Sequence, residues 1–132
     1  FRQRPRLLKA GIELYEYKPH PQIQAELVER YPRLASKNPV FALHAKSMVI
    51  DDTRIFIGTF NLDPRSANLN TEVGVLIESP ELGAQLTRSI ERDMRPENSW
   101  RTTSGFYPER EADSSKRFKL GFVNLFPLDP IL

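Results

Sequence analysis

The chain has 132 residues, of which 39% are hydrophobic, so it is long enough and apolar enough to bury the core of one domain. Lysine and arginine exceed aspartate and glutamate by 19 to 17, and this net charge of +2 is too small to indicate a nucleic-acid partner. The absence of cysteine excludes disulfides and thiolate metal sites.

The first part of the chain predicts a helix, a strand and a second helix. A helix over Arg4 to Ala10 should stop at Gly11, and Ile12 to Tyr17 alternates apolar and polar residues as a strand does. A short helix is expected over Gln22 to Arg30. His20 stands between two prolines, which is typical of a surface loop residue rather than a catalytic one.

The segment 41–61, with the sequence FALHAKSMVIDDTRIFIGTFN, predicts a β-hairpin whose turn is the pair Asp52-Thr53. Alternate residues of a strand share a face, and directly opposite side chains lie about 5 Å apart. This register brings four polar side chains together, namely His44 and Lys46 on the first strand, opposite Asn61 and Thr59 on the second. A shift of one residue in the register would scatter the set.

Both faces of the hairpin are apolar. The face of the four polar residues continues with Met48, Ile50, Ile55 and Ile57, and the other face carries Leu43, Val49, Phe56 and Phe60. Such a hairpin must be covered on both sides, which predicts an α/β domain with a central mixed sheet flanked by helices. Asp51 should lie opposite Arg54, away from His44, and hold the turn rather than take part in chemistry.

Further along, Asp63 to Ser66 predicts a turn and Thr71 to Glu78 predicts a buried strand. Ser79 is expected to cap a helix that begins at Pro80. The remainder, 95–132, predicts an irregular tail that packs on the domain. Its expected anchors are Trp100, Phe106 and Tyr107, with a helical turn over 114–120 and an apolar end at 122–132.

His44, Lys46 and Asp51 form the pattern H-x-K-x4-D, which is followed after six residues by the segment Gly58 to Asn61. This arrangement resembles the signature of the phospholipase D superfamily, whose last part is usually G-S-x-N. Thr59 stands in place of the usual serine and keeps its hydroxyl. The continuation FNLDPRSANLNTEVGVLI resembles bacterial cardiolipin synthases and related phosphatidyltransferases more than the nucleases of the superfamily.

The resemblance implies a two-step transfer through a phosphohistidine, in which a second histidine protonates the leaving alcohol and then activates the acceptor. It therefore implies two half-sites, with this chain as the C-terminal half of a tandem enzyme or as one copy of a homodimer. In the tandem form His44 would be the general acid/base. Glu72 would hold the far nitrogen of its ring, and Lys46, Asn61 and Thr59 would stabilise the phosphate charge.

Arg65 and Ser66, just past Asn61, would line the pocket or cap a turn. The expected partners are a phospholipid and a membrane surface, on the cytoplasmic side or inner membrane of a bacterium. No metal and no cofactor is expected, because the two histidines lack clustered ligands and the reaction needs neither. A nucleic-acid phosphodiesterase of the same superfamily and a non-catalytic half-domain are the alternative functions.

Overall fold

The computed structural model describes residues 3–35 and 43–111, so the helical turn predicted over 114–120 and the apolar end at 122–132 lie outside the described residues. Two compact units share the chain, and the change from the first unit to the second falls between Leu43 and His44. The first unit resumes at Ile90. The expectation of a single domain over 1–132 is not tested by this division and stays a prediction.

Helices and strands alternate along the described residues, and the predicted α/β class is confirmed. In chain order the elements are α1 (Arg4–Lys9), β1 (Leu14–Tyr17), α2 (Gln24–Arg30), α3 (Pro32–Ala35), β2 (Ser47–Ile50), β3 (Arg54–Gly58), α4 (Pro64–Asn68), β4 (Gly74–Glu78), α5 (Pro80–Met94), β5 (Ser99–Thr102) and a 3-10 helix (Pro108–Glu111). The sequence predicts one central mixed sheet, whereas these strands form two antiparallel sheets, with the orders β1-β5 and β2-β3-β4.

The first unit contains a strand that the sequence does not reveal. β5 lies in the tail predicted to be irregular and pairs with β1, so that Leu14 lies opposite Thr102. The buried hydroxyl of Thr102 donates to Glu16 across the pair at 2.6 Å, and Arg4 forms an ion pair with the same carboxylate. A half-buried carboxylate with a cation and a hydroxyl donor is satisfied, and this network joins α1 to both strands.

Asn98 fastens α2 to the end of α5 within the first unit. Its side chain is 3% exposed, accepts a hydrogen bond from the backbone of Ile23 at 3.0 Å and donates to the carbonyl of Arg92 at 2.8 Å. Ile23, which directly precedes α2, is buried, at 5% exposure. Because a buried amide must use its donors and its acceptor, Asn98 fixes both helix ends at once.

The carboxyl group of Asp93 makes the stability of the first unit depend on pH. Burial raises its pKa above the ordinary value, and the adjacent Arg92 offsets only part of this effect. The folded protein therefore holds this proton more tightly than the unfolded chain, and stability is lost as the pH rises from about 3.9 through the folded pKa. We expect Asp93→Asn to raise the melting temperature at pH 7 and to have little effect near pH 4.

Thermal melts by circular dichroism across this range measure the effect. The exposed Glu91→Gln on the same helix is the matched control, since it removes one charge without changing a buried group. A constant difference between Asp93→Asn and the parent protein at every pH would contradict the prediction.

The second unit is built on β2, β3 and β4, and its first turn differs from the predicted one. Ile50 lies opposite Arg54, so the turn contains three residues, Asp51, Asp52 and Thr53, instead of the pair Asp52-Thr53. Asp51 and Asp52 have φ angles of 50° and 53°. Aspartate tolerates this left-handed conformation better than most residues, which is why the chain can turn here without glycine.

Helix α5 holds this turn from one side. The backbone of Ser79 donates to the carbonyl of Thr53 at 2.8 Å, and the hydroxyl of Thr87 donates to the carboxylate of Asp52 at 3.0 Å. Gly83, which is buried, faces the carbonyl of Asp52. The predicted cap is confirmed, since the hydroxyl of Ser79 accepts from the backbone of Leu82 at 3.3 Å. These contacts are long-range in sequence, so the local turn pattern does not contain them.

The longer turn shifts the hairpin register by one residue and changes which side chains share a face. Ile55 and Ile57 pair on the face of Val49, and Phe56 lies opposite Met48. The expectation that Ile55 and Ile57 lie with Met48 is therefore wrong. Side-chain direction alternates along a strand, so an error of one residue in the turn exchanges the faces of the second strand.

Both faces of this sheet remain largely exposed among the described residues, although the sequence predicts that they are covered. Met48 and Leu76 are 40% and 68% exposed on one face, and Ile57 and Val75 are 47% and 55% exposed on the other. Ile55 alone among these strand residues is buried, at 3%. The expectation that β4 is a buried strand is also wrong, because four of its five residues are exposed and only Ile77 is half-buried.

A short helix replaces the turn expected at Asp63 to Ser66. Asp63 has an extended backbone and accepts a hydrogen bond from the backbone of Ser66 at 2.7 Å, and Pro64 occupies the first helical position. An aspartate cap followed by proline is a helix-start pattern, so the local sequence does encode α4. The helix carries Arg65 and Ser66 on its first turn.

Candidate active site

An open cavity of about 730 Å³ lies at the edge of the second sheet opposite to the β2–β3 turn. In an antiparallel sheet, the start of β2, the end of β3 and the start of β4 meet at one edge. The polar side chains of the cavity come from these three places, with His44 and Lys46 before β2, Thr59 and Asn61 after β3, and Asn70 and Glu72 before β4. The topology thus collects the motif residues.

The four polar residues predicted to lie together, His44, Lys46, Thr59 and Asn61, do line one cavity, but the strand register from which they were predicted is wrong. The amide of Gly58 donates to the carbonyl of Lys46 at 3.0 Å, so Gly58 occupies the position predicted for Thr59. The ladder ends at the pair Ser47 and Ile57, and the chain bends at Thr59. Beyond a ladder the strict alternation of faces no longer applies, and a shift of one residue therefore does not scatter the set.

His44 and Lys46 contact each other directly. The Nζ atom of Lys46 lies 2.8 Å from Nε2 of His44 and 3.2 Å from its carbonyl oxygen. An ammonium group only donates, so Nε2 is assigned as the acceptor and the ring proton as residing on Nδ1. The lone pair of Nε2 is the one that could take a proton or attack phosphorus, and a bound phosphate would compete with it for Lys46.

The carboxylate of Glu72 is held by neutral donors. Its Oε2 accepts from the hydroxyl of Thr59 at 2.5 Å, and its Oε1 accepts from the amide of Asn70 at 3.2 Å. The hydrogen bond from Thr59 lowers the pKa of Glu72 most, followed by the nearby hydroxyl of Ser66, with smaller contributions from Asn70 and the charge of Lys46. The group is thus an ionised acceptor in the folded protein.

The hydrogen bond expected between Glu72 and His44 is not formed within residues 43–111. Thr59 and Asn70 occupy the two oxygens of the carboxylate instead. Thr59 also pairs with the backbone of Val73, whose amide donates to the threonine hydroxyl at 3.0 Å and whose carbonyl accepts from the threonine amide at 2.9 Å. The threonine at the serine position of the motif therefore joins β3 to the segment before β4.

Three predicted site residues lie at the margin of the cavity or away from it. Nε of Arg65 donates to Asn70 at 3.3 Å, and Arg65 lies next to the cavity without lining it. Ser66 is 4% exposed, and its hydroxyl makes no hydrogen bond of normal length within the described ranges. Asp51 lies in the turn at the far end of β2, and no ion pair with Arg54 is formed in the described part of the chain.

The left-handed backbone of Asp51 leads to a prediction that separates turn geometry from chemistry. A β-branched residue is disfavoured there, so we expect Asp51→Val to cost about 1–2 kcal/mol of unfolding free energy. Asp51→Asn should be nearly neutral, because asparagine tolerates the same conformation. Urea denaturation measures the first quantity, and activity per folded molecule should be similar for both variants. A large loss of activity in a fully stable Asp51→Asn would place the carboxylate in the reaction.

Sequence reasoning missed Asn70, which lines the cavity between Leu69 and Thr71 and touches Glu72. Asparagine before a strand is an ordinary loop residue, and the signal that identifies it here is its two side-chain partners, which only coordinates show. Within the described ranges no cluster of three or more metal-binding side chains occurs. The helices described there are also too short or too polar to cross a bilayer.

Comparison with known proteins identifies relatives of this chain. Cardiolipin synthase C of Escherichia coli is 48% identical over 85 residues, which are 64% of this chain and 17% of that protein. The probable cardiolipin synthase YwiE of Bacillus subtilis is 32% identical over 122 residues, or 92% of this chain and 19% of that protein. Cardiolipin synthase 1 of Staphylococcus epidermidis is 37% identical over 90 residues, 68% of this chain and 17% of that protein.

The chain therefore spans less than a fifth of the length of these curated relatives. No solved structure matches it. The family described as the phospholipase D-like (PLD-like) domain of cardiolipin synthase matches residues 1–94, which include the three segments that form the cavity. On this match the chain belongs to the cardiolipin synthase, PLD-like domain family.

Proposed function

We propose that the chain supplies one half-site of a phosphatidyltransferase, which moves a phosphatidyl group from one alcohol to another. The observation that carries the proposal is the cavity that gathers His44, Lys46 and Asn61 at one sheet edge. A phosphodiester is anionic, and its cleavage needs cations and hydrogen-bond donors around the phosphate oxygens. Lys46 and the amide of Asn61 supply these donors, and the relatives named cardiolipin synthases favour a lipid as the phosphodiester.

The proposed reaction has two steps and uses two imidazoles. In the first step a histidine nitrogen of the other half-site attacks phosphorus, a P–N bond forms and the P–O bond to the donor alcohol breaks. That oxygen takes the proton on Nε2 of His44, which enters this step as an imidazolium and leaves it neutral, ready to act as the base of the second step. In the second step His44 removes a proton from the acceptor alcohol, whose oxygen attacks phosphorus while the P–N bond breaks. Both imidazoles are then restored, and water in place of the acceptor gives hydrolysis.

The second imidazole is proposed to come from another half-site, either in a longer polypeptide or in a second copy of this chain. The only other histidine of the chain, His20, lies exposed in the first unit between two prolines and outside the motif. Glu72 and Thr59 are proposed to hold the segments of the cavity together. Since the hydroxyl of Thr59 is already bonded to Glu72, we assign it to positioning rather than to substrate contact.

A transfer assay tests this function in whichever form of the protein is active, a longer polypeptide or a dimer. Vesicles that carry a labelled phosphatidyl lipid are incubated with an alcohol acceptor, and labelled DNA is offered in parallel. We expect a transphosphatidylated lipid, no DNA cleavage and no phosphohistidine on His44. Cleavage of DNA without lipid transfer would instead establish the nuclease alternative. Sedimentation of the same vesicles tests the proposed peripheral contact with a membrane.

A further inference from the structure

We propose that Asn70 is a positioning residue of this half-site, whose amide holds the carboxylate of Glu72 and the guanidinium of Arg65 in a fixed arrangement. Nε of Arg65 donates to Oδ1 of Asn70 at 3.3 Å, and Nδ2 of Asn70 donates to Oε1 of Glu72 at 3.2 Å. The consequence for turnover rests on the proposed function, while the positioning itself rests on these two contacts.

The amide group suits this place because it presents an acceptor to a cation and a donor to an anion. An aspartate would keep an acceptor for Arg65 but set a second negative charge against Glu72. An alanine would satisfy neither neighbour. The orientation of the Asn70 amide follows from its partners, since a guanidinium only donates and an ionised carboxylate only accepts. Asparagine thus joins opposite charges through one rigid planar group.

Asn70 also keeps the two charges apart. Arg65 and Glu72 form no ion pair in the described part of the chain, although each contacts the same amide. Arg65 donates to Asn70 through Nε only, so its terminal nitrogens remain able to meet an anion. A direct pair would neutralise both groups and draw Arg65 toward Glu72. The amide therefore preserves a positive charge beside a cavity that is proposed to bind phosphate.

On the other side, Asn70 completes the coordination of Glu72. Thr59 takes Oε2 and Asn70 takes Oε1, so each carboxylate oxygen has its own donor and the group cannot rotate freely. Because Thr59 is also bonded to the backbone of Val73, a fixed Glu72 fixes the relation between the end of β3 and the start of β4. Asn61 follows that end of β3 by a few residues, and its amide is proposed to meet the phosphate.

The pKa of the Glu72 carboxyl, measured by carbon-13 NMR titration of this chain, tests the positioning without any assay of activity. We expect Asn70→Asp to raise this pKa clearly, because an acceptor with negative charge replaces a donor. Asn70→Ala should raise it less. Asn68→Ala is the matched control, since Asn68 donates to the carbonyl of Pro64 and not to Glu72. An Asn70→Asp titration that matches the control would overturn the proposal.

Kinetics of the active form test the catalytic consequence. We expect Asn70→Asp and Asn70→Ala to lower kcat about tenfold, which is the rate effect of losing one charge-assisted hydrogen bond. Asn68→Ala should leave kcat unchanged. Asn70→Gln, which retains the amide, should recover part of the loss. If the titration behaves as expected but the parent protein transfers no phosphatidyl group, the proposed function fails and the positioning stands. If His44→Ala is inactive but Asn70→Asp has the kcat of the control, the catalytic role of Asn70 fails alone.

Discussion

Replacing His44 by alanine should lower phosphatidyl transfer by about a thousandfold or more while leaving the fold intact. The side chain is exposed at the cavity, and among the described residues it forms a hydrogen bond with Lys46 alone, so its loss removes little packing. General acid/base groups typically contribute 10²–10⁴-fold, and no other imidazole of this chain belongs to the motif. Transfer is measured per folded molecule, with the fold checked by far-ultraviolet circular dichroism.

His20→Ala is the matched control, because it removes the other imidazole of the chain from an exposed loop. It should leave transfer unchanged. Folded His44→Ala protein that retains normal turnover would contradict the assignment of this cavity as the site. Equal loss in both variants would point to a general effect of removing histidine and not to the motif.

Gly83→Ala should destabilise the protein by about 3 kcal/mol, although alanine normally stabilises a helix relative to glycine by about 1 kcal/mol. A β-carbon at this position would lie 2.1 Å from the carbonyl oxygen of Asp52 and 2.7 Å from its carbonyl carbon. These are backbone atoms of the tight turn, and they cannot rotate away as a side chain could. The midpoint of urea denaturation measures the loss.

Gly105→Ala provides the control for this substitution, because an added methyl group there would meet nothing within 4 Å. It should leave the midpoint nearly unchanged or raise it slightly through the lower entropy of the unfolded chain. A Gly83→Ala midpoint equal to that of the control would show that α5 can move away from the turn at no cost, which these contacts do not allow.

Prediction from sequence succeeds here where the signal is local and strong. The stop of α1 at Gly11 and the start of α5 at Ser79 and Pro80 follow from the backbone preferences of those residues, and the structure has both. The motif also brought His44 and Lys46 to one cavity, since strand ends in an antiparallel sheet share an edge. The role of these residues in catalysis stays a proposal.

The errors arise where a distant contact decides. The three-residue turn is contacted by α5 through Asp52 and Thr53, and no pattern within the hairpin contains that information. Local sequence patterns do not predict β5, because its four residues form a strand by pairing with β1, which is far away in the sequence. The family resemblance predicts a hydrogen bond between Glu72 and His44, but the oxygens of Glu72 contact Thr59 and Asn70, and Asn70 has no signature of its own.

The docking of α5 on the β2–β3 turn fixes the helix to the end of the sheet that lies opposite the cavity. β3 spans five residues, or roughly 17 Å, pairs with a neighbouring strand on each side and connects the two ends of the sheet. We expect a substitution that separates Asp52 from the helix to shift β3 and, with it, Thr59 at the cavity. Loss-of-function substitutions in a random library should therefore accumulate along the helix face that bears Gly83 and Thr87, at positions that never meet the substrate.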